Sequence, residues 1–209
     1  EYECFKAIMA RLEMPYLAIP GNHDMRETMR HAFTGEDWMP QHGPIQWRKD
    51  FGSFVLIGLD TLLDGAHHGE LSEEGFGFLD ATLSAIGPRP AVVATHHPWM
   101  HSGIRAMDLS NLRNGAVLIE RLEAHPGQVR MISGHVHRAI TTQIGKITCQ
   151  ILPAPCHAVH LDHRLEATND MALEPGAVTV HTWLDTPNPS LVSNVLPVGR
   201  FPGPWPFWS

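Results

Sequence analysis

The sequence is short of charge, short of cysteine and without any long apolar run. Charged residues make up 18 % of the 209, and 15 Lys+Arg against 22 Asp+Glu leave a net charge of −7 with His neutral. With few basic clusters, there is no electrostatic footprint for a nucleic-acid duplex. No stretch approaches the roughly 18 apolar residues that span a bilayer, so no membrane partner is expected. The cysteines, Cys4, Cys149 and Cys156, are odd in number and scattered. That argues against a disulfide framework and fits a reducing compartment, with a cytoplasmic location expected. They read as small hydrophobes rather than ligands. The chain opens on Glu1 rather than Met, and nothing near it reads as a targeting signal.

What is present is 43 % apolar content, ample for a buried core, and 15 histidines, as many as Lys and Arg together. Histidine is the commonest metal ligand and the usual acid or base near neutral pH, so its spacing decides what it does here.

Phe5, Ile8, Met9 and Leu12 recur at helical spacing, which predicts a helix over 2–12. Tyr16–Ile19, Phe54–Leu59, Ala91–Thr95 and Val129–Ser133 are short apolar runs of the kind that form buried strands. Ser72 is placed to cap a helix carrying Phe76, Leu79 and Leu83, and Gly115–Ala124 predicts another. Ile147–Leu152 and Ala177–Trp183 read as later strands. This order predicts an α/β layered protein. Residues 188–209, dense in Pro and Gly with Trp205, Phe207 and Trp208, read as an extended tail.

Three of the strands end in loops that carry histidine. These are Gly21-Asn22-His23-Asp24, Thr95-His96-His97-Pro98 and Gly134-His135-Val136-His137. Ligand sites in α/β sheets form beyond the carboxyl ends of strands, so the three loops point to one locus. His135 and His137, two apart, would share a face in extended backbone, with Val136 turned away. His96 and His97 would face opposite ways. His96, directly after the strand, is the candidate ligand, and His97 is expected to pack behind it. Asn22 offers a neutral carbonyl oxygen, His23 is a candidate acid, and Asp24 is placed to orient His23. Each motif alone is also a common turn; the three together, in order, carry the argument. The remaining histidines read as structural or surface residues.

Taken together, these motifs resemble the calcineurin-like metallophosphoesterase family, and within it the class III cyclic-nucleotide phosphodiesterase and glycerophosphodiesterase branch. The resemblance implies a four-layer αββα sandwich, with residues 1–187 as the metallophosphoesterase domain. It implies two divalent metal ions, Mn, Fe, Zn or Co, with Asn22, His96 and His135 on one and His137 on the other. His23 and Asp24 would be catalytic, and His97 would stand behind the ligands. A hydroxide between the metals would attack a small-molecule phosphodiester, since paired cations acidify water and neutralise phosphoryl charge.

Two motifs of that family are absent. The chain contains no Asp-x-His and no Gly-Asp dipeptide. The resemblance therefore implies a chain without the family's first two strands and bridging carboxylate, with Asp60, Asp64 and His67 the first places to look for substitutes. Unpaired sheet edges would favour a homo-oligomer. Weak or no activity of this chain alone is the matching expectation. The alternatives are a catalytically inert module that acts through interactions, and a protein binding one metal through Asn22, His96 and His135.

Overall fold

The computed structural model describes residues 1–206. Helix α1 (Tyr2–Met9) and helix α2 (Arg26–Ala32) open the chain. Strands β1 (Trp47–Asp50) and β2 (Val55–Gly58), helix α3 (Glu73–Ile86), strand β3 (Ala91–Thr95), and helices α4 (Arg105–Asp108) and α5 (Gly115–Ala124) follow. Strand β4 (Val129–Ser133) leads into β5 (Ile140–Ile144) and β6 (Ile147–Ile151). Two short strands, β7 (Ala158–Val159) and β8 (Met171–Ala172), precede β9 (Ala177–Leu184) and β10 (Ser190–Pro197).

The main sheet has six strands in the order β1-β2-β3-β4-β6-β5. Its centre is parallel, β2 to β3 to β4 to β6, and its two edges are antiparallel. Central strands such as Ala91–Thr95 are nearly continuous apolar runs because both faces are covered. The edge strand β1 carries exposed Arg48, Lys49 and Asp50, charges that discourage edge-to-edge pairing.

One face of the sheet packs Val93, Met131, Ile147 and Cys149 against Leu79 of α3 and Leu118 and Leu122 of α5. Helix α3 begins where Ser72 Oγ accepts from the Gly75 amide at 3.1 Å, a cap worth about 1 kcal/mol. On the other face, the Arg130 guanidinium donates to Ser193 Oγ of β10 at 2.7 Å, and Phe54 stacks on Trp183 of β9 at 5.4 Å. A second apolar cluster, Met29, Phe33, Trp38, Ile45 and Trp47, packs with Tyr16, Leu17 and Ile19. The α/β layering expected from the sequence is the architecture observed.

Three local expectations differ. Tyr16–Ile19 forms no strand. Among the described residues no neighbouring backbone offers it a ladder; it is held by side chains, with Trp47 Nε1 donating to the Ala18 carbonyl at 2.7 Å. Ser190–Pro197, read as part of an irregular tail, is a strand paired along its length with β9. The Pro187–Pro189 cluster makes the hairpin connection, and Leu191, Val192, Val195 and Leu196 supply the apolar and β-branched residues that suit a strand. Trp205 is exposed, while Phe207 and Trp208 lie outside the described residues. Cys149 lies in the core at 1 % exposure, as a small hydrophobe should, but Cys156 is exposed.

Candidate metal centre

Because β2, β3, β4 and β6 run parallel, their carboxyl ends open on the same edge of the sheet. His96 and His97 follow β3, and Gly134–His137 follow β4. The loop at Gly21–Asp24 lies across them. Nε2 of His96 stands 2.9 Å from Oδ1 of Asn22 and 3.2 Å from Nδ1 of His135. Gly21 permits the approach, since a Cβ there would lie 2.8 Å from the His96 ring.

His135 and His137 are not in extended backbone. Their φ angles are 68° and 59°, in the left-handed region that side chains rarely adopt. Such residues carry strain of order 1–3 kcal/mol and cluster at functional sites. Val136, with no exposed surface, anchors the loop from the core. The expectation that extended i, i+2 geometry pairs the two rings is therefore corrected: a buried Val136 between two left-handed residues sets their positions.

His97 does not face away from His96 as strand alternation would have it. It is fully buried, and its ring lies 4.8 Å from that of His96 and 4.9 Å from that of His135. Its Nδ1 is 2.8 Å from Thr61 Oγ1. His96, His97 and His135 each present a ring nitrogen within 4.8 Å of the others. The turn at Pro98, not the alternation of a strand, governs the two neighbours.

Asp24 does not orient His23. Among the described residues its carboxylate accepts from the Tyr2 hydroxyl at 2.5 Å and the Gly21 amide at 2.7 Å. It ties the loop to α1, because the short side chain reaches back three residues more readily than outward. His23 is exposed and lies 6.2 Å, ring to ring, from His67. His67 and Thr61 belong to the loop after β2; His67 is among the substitutes the sequence offers, whereas Thr61, which meets His97, is not marked by it. The available signal was the strand end itself, but no compact motif marks it.

Asp60, a candidate substitute carboxylate, is buried and occupied. It accepts from Arg26 at 2.7 and 2.9 Å and from the Ile45 and Leu62 amides. Asp64 is exposed, 3.5 Å from the same guanidinium.

The electrostatics favour neutral imidazoles. Burial, then the neighbouring rings, lower the pKa of His96 to about 2, that of His97 to about 3 and that of His135 to about 4. A metal needs that neutral form. The contacts fit a cation as well. Nε2 of His96 has one proton or one lone pair, yet two acceptor-bearing neighbours converge on it. In a tetrahedral site with bonds of ~2.0–2.1 Å, ligand atoms sit about 3.3 Å apart, close to the separations here. Nε2 of His97, Nε2 of His135 and Nδ1 of His137 are buried and, among the described residues, find no hydrogen-bond partner. The donors are neutral nitrogen and amide oxygen, a set that suits transition metals better than Mg or Ca.

The family model for calcineurin-like phosphoesterases matches residues 1–139. This chain belongs to the calcineurin-like phosphoesterase family. A probable glycerophosphodiester phosphodiesterase GpdQ of Arcobacter nitrofigilis is 33 % identical over 210 residues, covering 100 % of this chain and 76 % of that protein. The 3',5'-cyclic adenosine monophosphate phosphodiesterase CpdA of Pseudomonas aeruginosa is 30 % identical over 155 residues, covering 74 % of this chain and 55 % of its own. A dimetal phosphatase of Danio rerio shares the fold, with a TM-score of 0.57 at 15 % identity over 72 % of this chain and 65 % of that one. For a calcineurin-like phosphoesterase, the converging histidine loops are where metal chemistry belongs. No helix among the described residues is long and apolar enough to cross a membrane.

Proposed function

We propose that this chain is a metal-dependent hydrolase of small phosphodiesters, of the glycerophosphodiester or cyclic-nucleotide class. The observation that carries the reading is the convergence of Asn22, His96 and His135 from three loops onto one point. The names of the relatives support the substrate class. Asn22, His96 and His135 would hold one divalent ion and His137 would contribute to a second, with His97 held behind them by Thr61. Bound divalent ions supply acidified water and neutralise phosphoryl charge.

The chain's own groups then position the ester. His23, exposed beside the cluster, is free to meet a phosphoryl oxygen and to give a proton to the leaving alkoxide. Asp24 keeps the backbone of that loop in place through Gly21 and Tyr2. The exposed valines of the β9–β10 hairpin, Val178, Val180, Val192 and Val195, support a homo-oligomer, and the scattered cysteines support a cytoplasmic location.

The test measures bound metal and hydrolysis of bis(p-nitrophenyl) phosphate by the purified chain. Weak metal-dependent turnover by this chain, lost in His23→Ala with metal retained, is the expected result. A chain that binds no transition metal belongs instead to the inert-module reading.

A further inference from the structure

The resemblance read from the sequence leaves His137 as the one donor for a second ion. The structure gives it company. The parallel strand β6 ends at Ile151, and the segment after it brings Cys156 and His157 to the same edge of the sheet. The rings of His137 and His157 lie 4.6 Å apart, and Cys156 Sγ is 3.3 Å from His157 Nδ1. Donor atoms of all three residues lie within 4.8 Å of one another.

We propose that His137, Cys156 and His157 form a thiolate-containing transition-metal site beside the His96 cluster, taking an ion such as Zn²⁺ through two imidazoles and one sulfur.

Three further observations support it. Nδ1 of His137 is buried and, among the described residues, has no hydrogen-bond partner, although its backbone is held in a strained left-handed conformation. The two donor segments are fastened together: Val159 N–H donates to the Val136 carbonyl at 3.5 Å, and the Arg138 guanidinium donates to the Val159 carbonyl at 2.7 Å. Beside His137 and His157 lies a cavity of about 310 Å³, room for a water or a substrate oxygen at an open coordination position. With Zn–S of ~2.3 Å and Zn–N of ~2.0–2.1 Å, tetrahedral donors stand roughly 3.3–3.6 Å apart, so the Cys156–His157 separation already fits. No carboxylate joins this group among the described residues; the soft thiolate replaces it and shifts preference toward Zn over Mn or Mg. On binding, the thiol proton leaves to solvent and the sulfur bonds the ion, with no change of oxidation state.

The inference deepens the metal-centre reading, because His137 belongs to both, and the two can fail separately. The test uses the full chain with Cys4→Ser, which leaves Cys156 as the exposed thiol. Cobalt(II) loading is expected to give a near-ultraviolet sulfur-to-cobalt charge-transfer band. The band should vanish in Cys156→Ser and persist in His96→Ala. Bound Zn²⁺ should fall by one ion per chain in Cys156→Ser, and Zn²⁺ should slow labelling of Cys156 by a disulfide reagent, with EDTA restoring it. His157→Ala should likewise weaken the band while circular dichroism stays unchanged. Cobalt bound without the band, or Zn²⁺ stoichiometry unaltered by Cys156→Ser, overturns the thiolate site and leaves the His96 centre standing.

Discussion

Oδ1 of Asn22 and Nε2 of His96 lie 2.9 Å apart although 74 residues separate them in the chain. The contact joins the loop after the unladdered Tyr16–Ile19 segment to the end of β3. With His135 on the other side of the same nitrogen, three loops meet at one atom. Everything predicted of the metal centre follows from this meeting.

Replacing His96 with Ala removes the shared donor. Zinc affinity measured by calorimetry should fall by at least the 10–100-fold typical of losing even an outer partner of a metal ligand. An unchanged dissociation constant would place the metal elsewhere.

Thr61 holds the buried His97 ring through a 2.8 Å contact. Thr61→Val leaves that ring nitrogen unpaired in the interior and should cost about 1–3 kcal/mol in urea unfolding. Thr61→Ser, which keeps the hydroxyl, should recover most of it.

Gly69 presses against the same ring: a Cβ there would stand 2.3 Å from His97 Nδ1. Gly69→Ala should therefore destabilise the fold by roughly 1–3 kcal/mol, as overpacking does, and lower metal affinity alongside. The paired readout separates ring displacement from a simple loop effect.

Acid should unfold the metal-free protein early. The folded-state pKa values of His96, His97 and His135, about 2, 3 and 4, lie below the ordinary value of 6.5. Between those limits the unfolded chain binds more protons than the folded one. Stability from this source is complete above pH 6.5 and declines as the pH falls toward 4. Urea midpoints at pH 7.5 and pH 5 measure the decline, and His97→Gln should make it shallower.

Arg26 is the side-chain cation bonded to the fully buried Asp60 carboxylate. Arg26→Met strands that charge and should cost about 3–5 kcal/mol by thermal or urea unfolding. Asp60→Asn combined with Arg26→Met should cost less than Arg26→Met alone.

Much of this was legible in the chain itself. Strands β3 and β4 and helix α5 have the bounds that their apolar runs mark, because buried parallel strands and amphipathic helices write their period into the sequence. Ser72 capped its helix as a serine in that position should. Compact loop motifs also marked Asn22, His96 and His135, which the structure brings to one point, since each motif packs several polar residues into a few positions. Edge strands were harder: β5, Ile140–Ile144, is half-buried and polar enough to read as loop.

What only the tertiary structure decided is who meets whom. Thr61 reaching His97, Asp24 turning to Tyr2, Asp60 taken up by Arg26, and Cys156–His157 brought beside His137 are encounters between segments far apart in sequence. Local propensity carries no information about them. They are set by the register of parallel strands, which aligns carboxyl ends along one edge, and by core anchors such as Val136 that fix where each loop may stand. Sequence determined which donors exist; packing determined which of them share a space small enough for one ion.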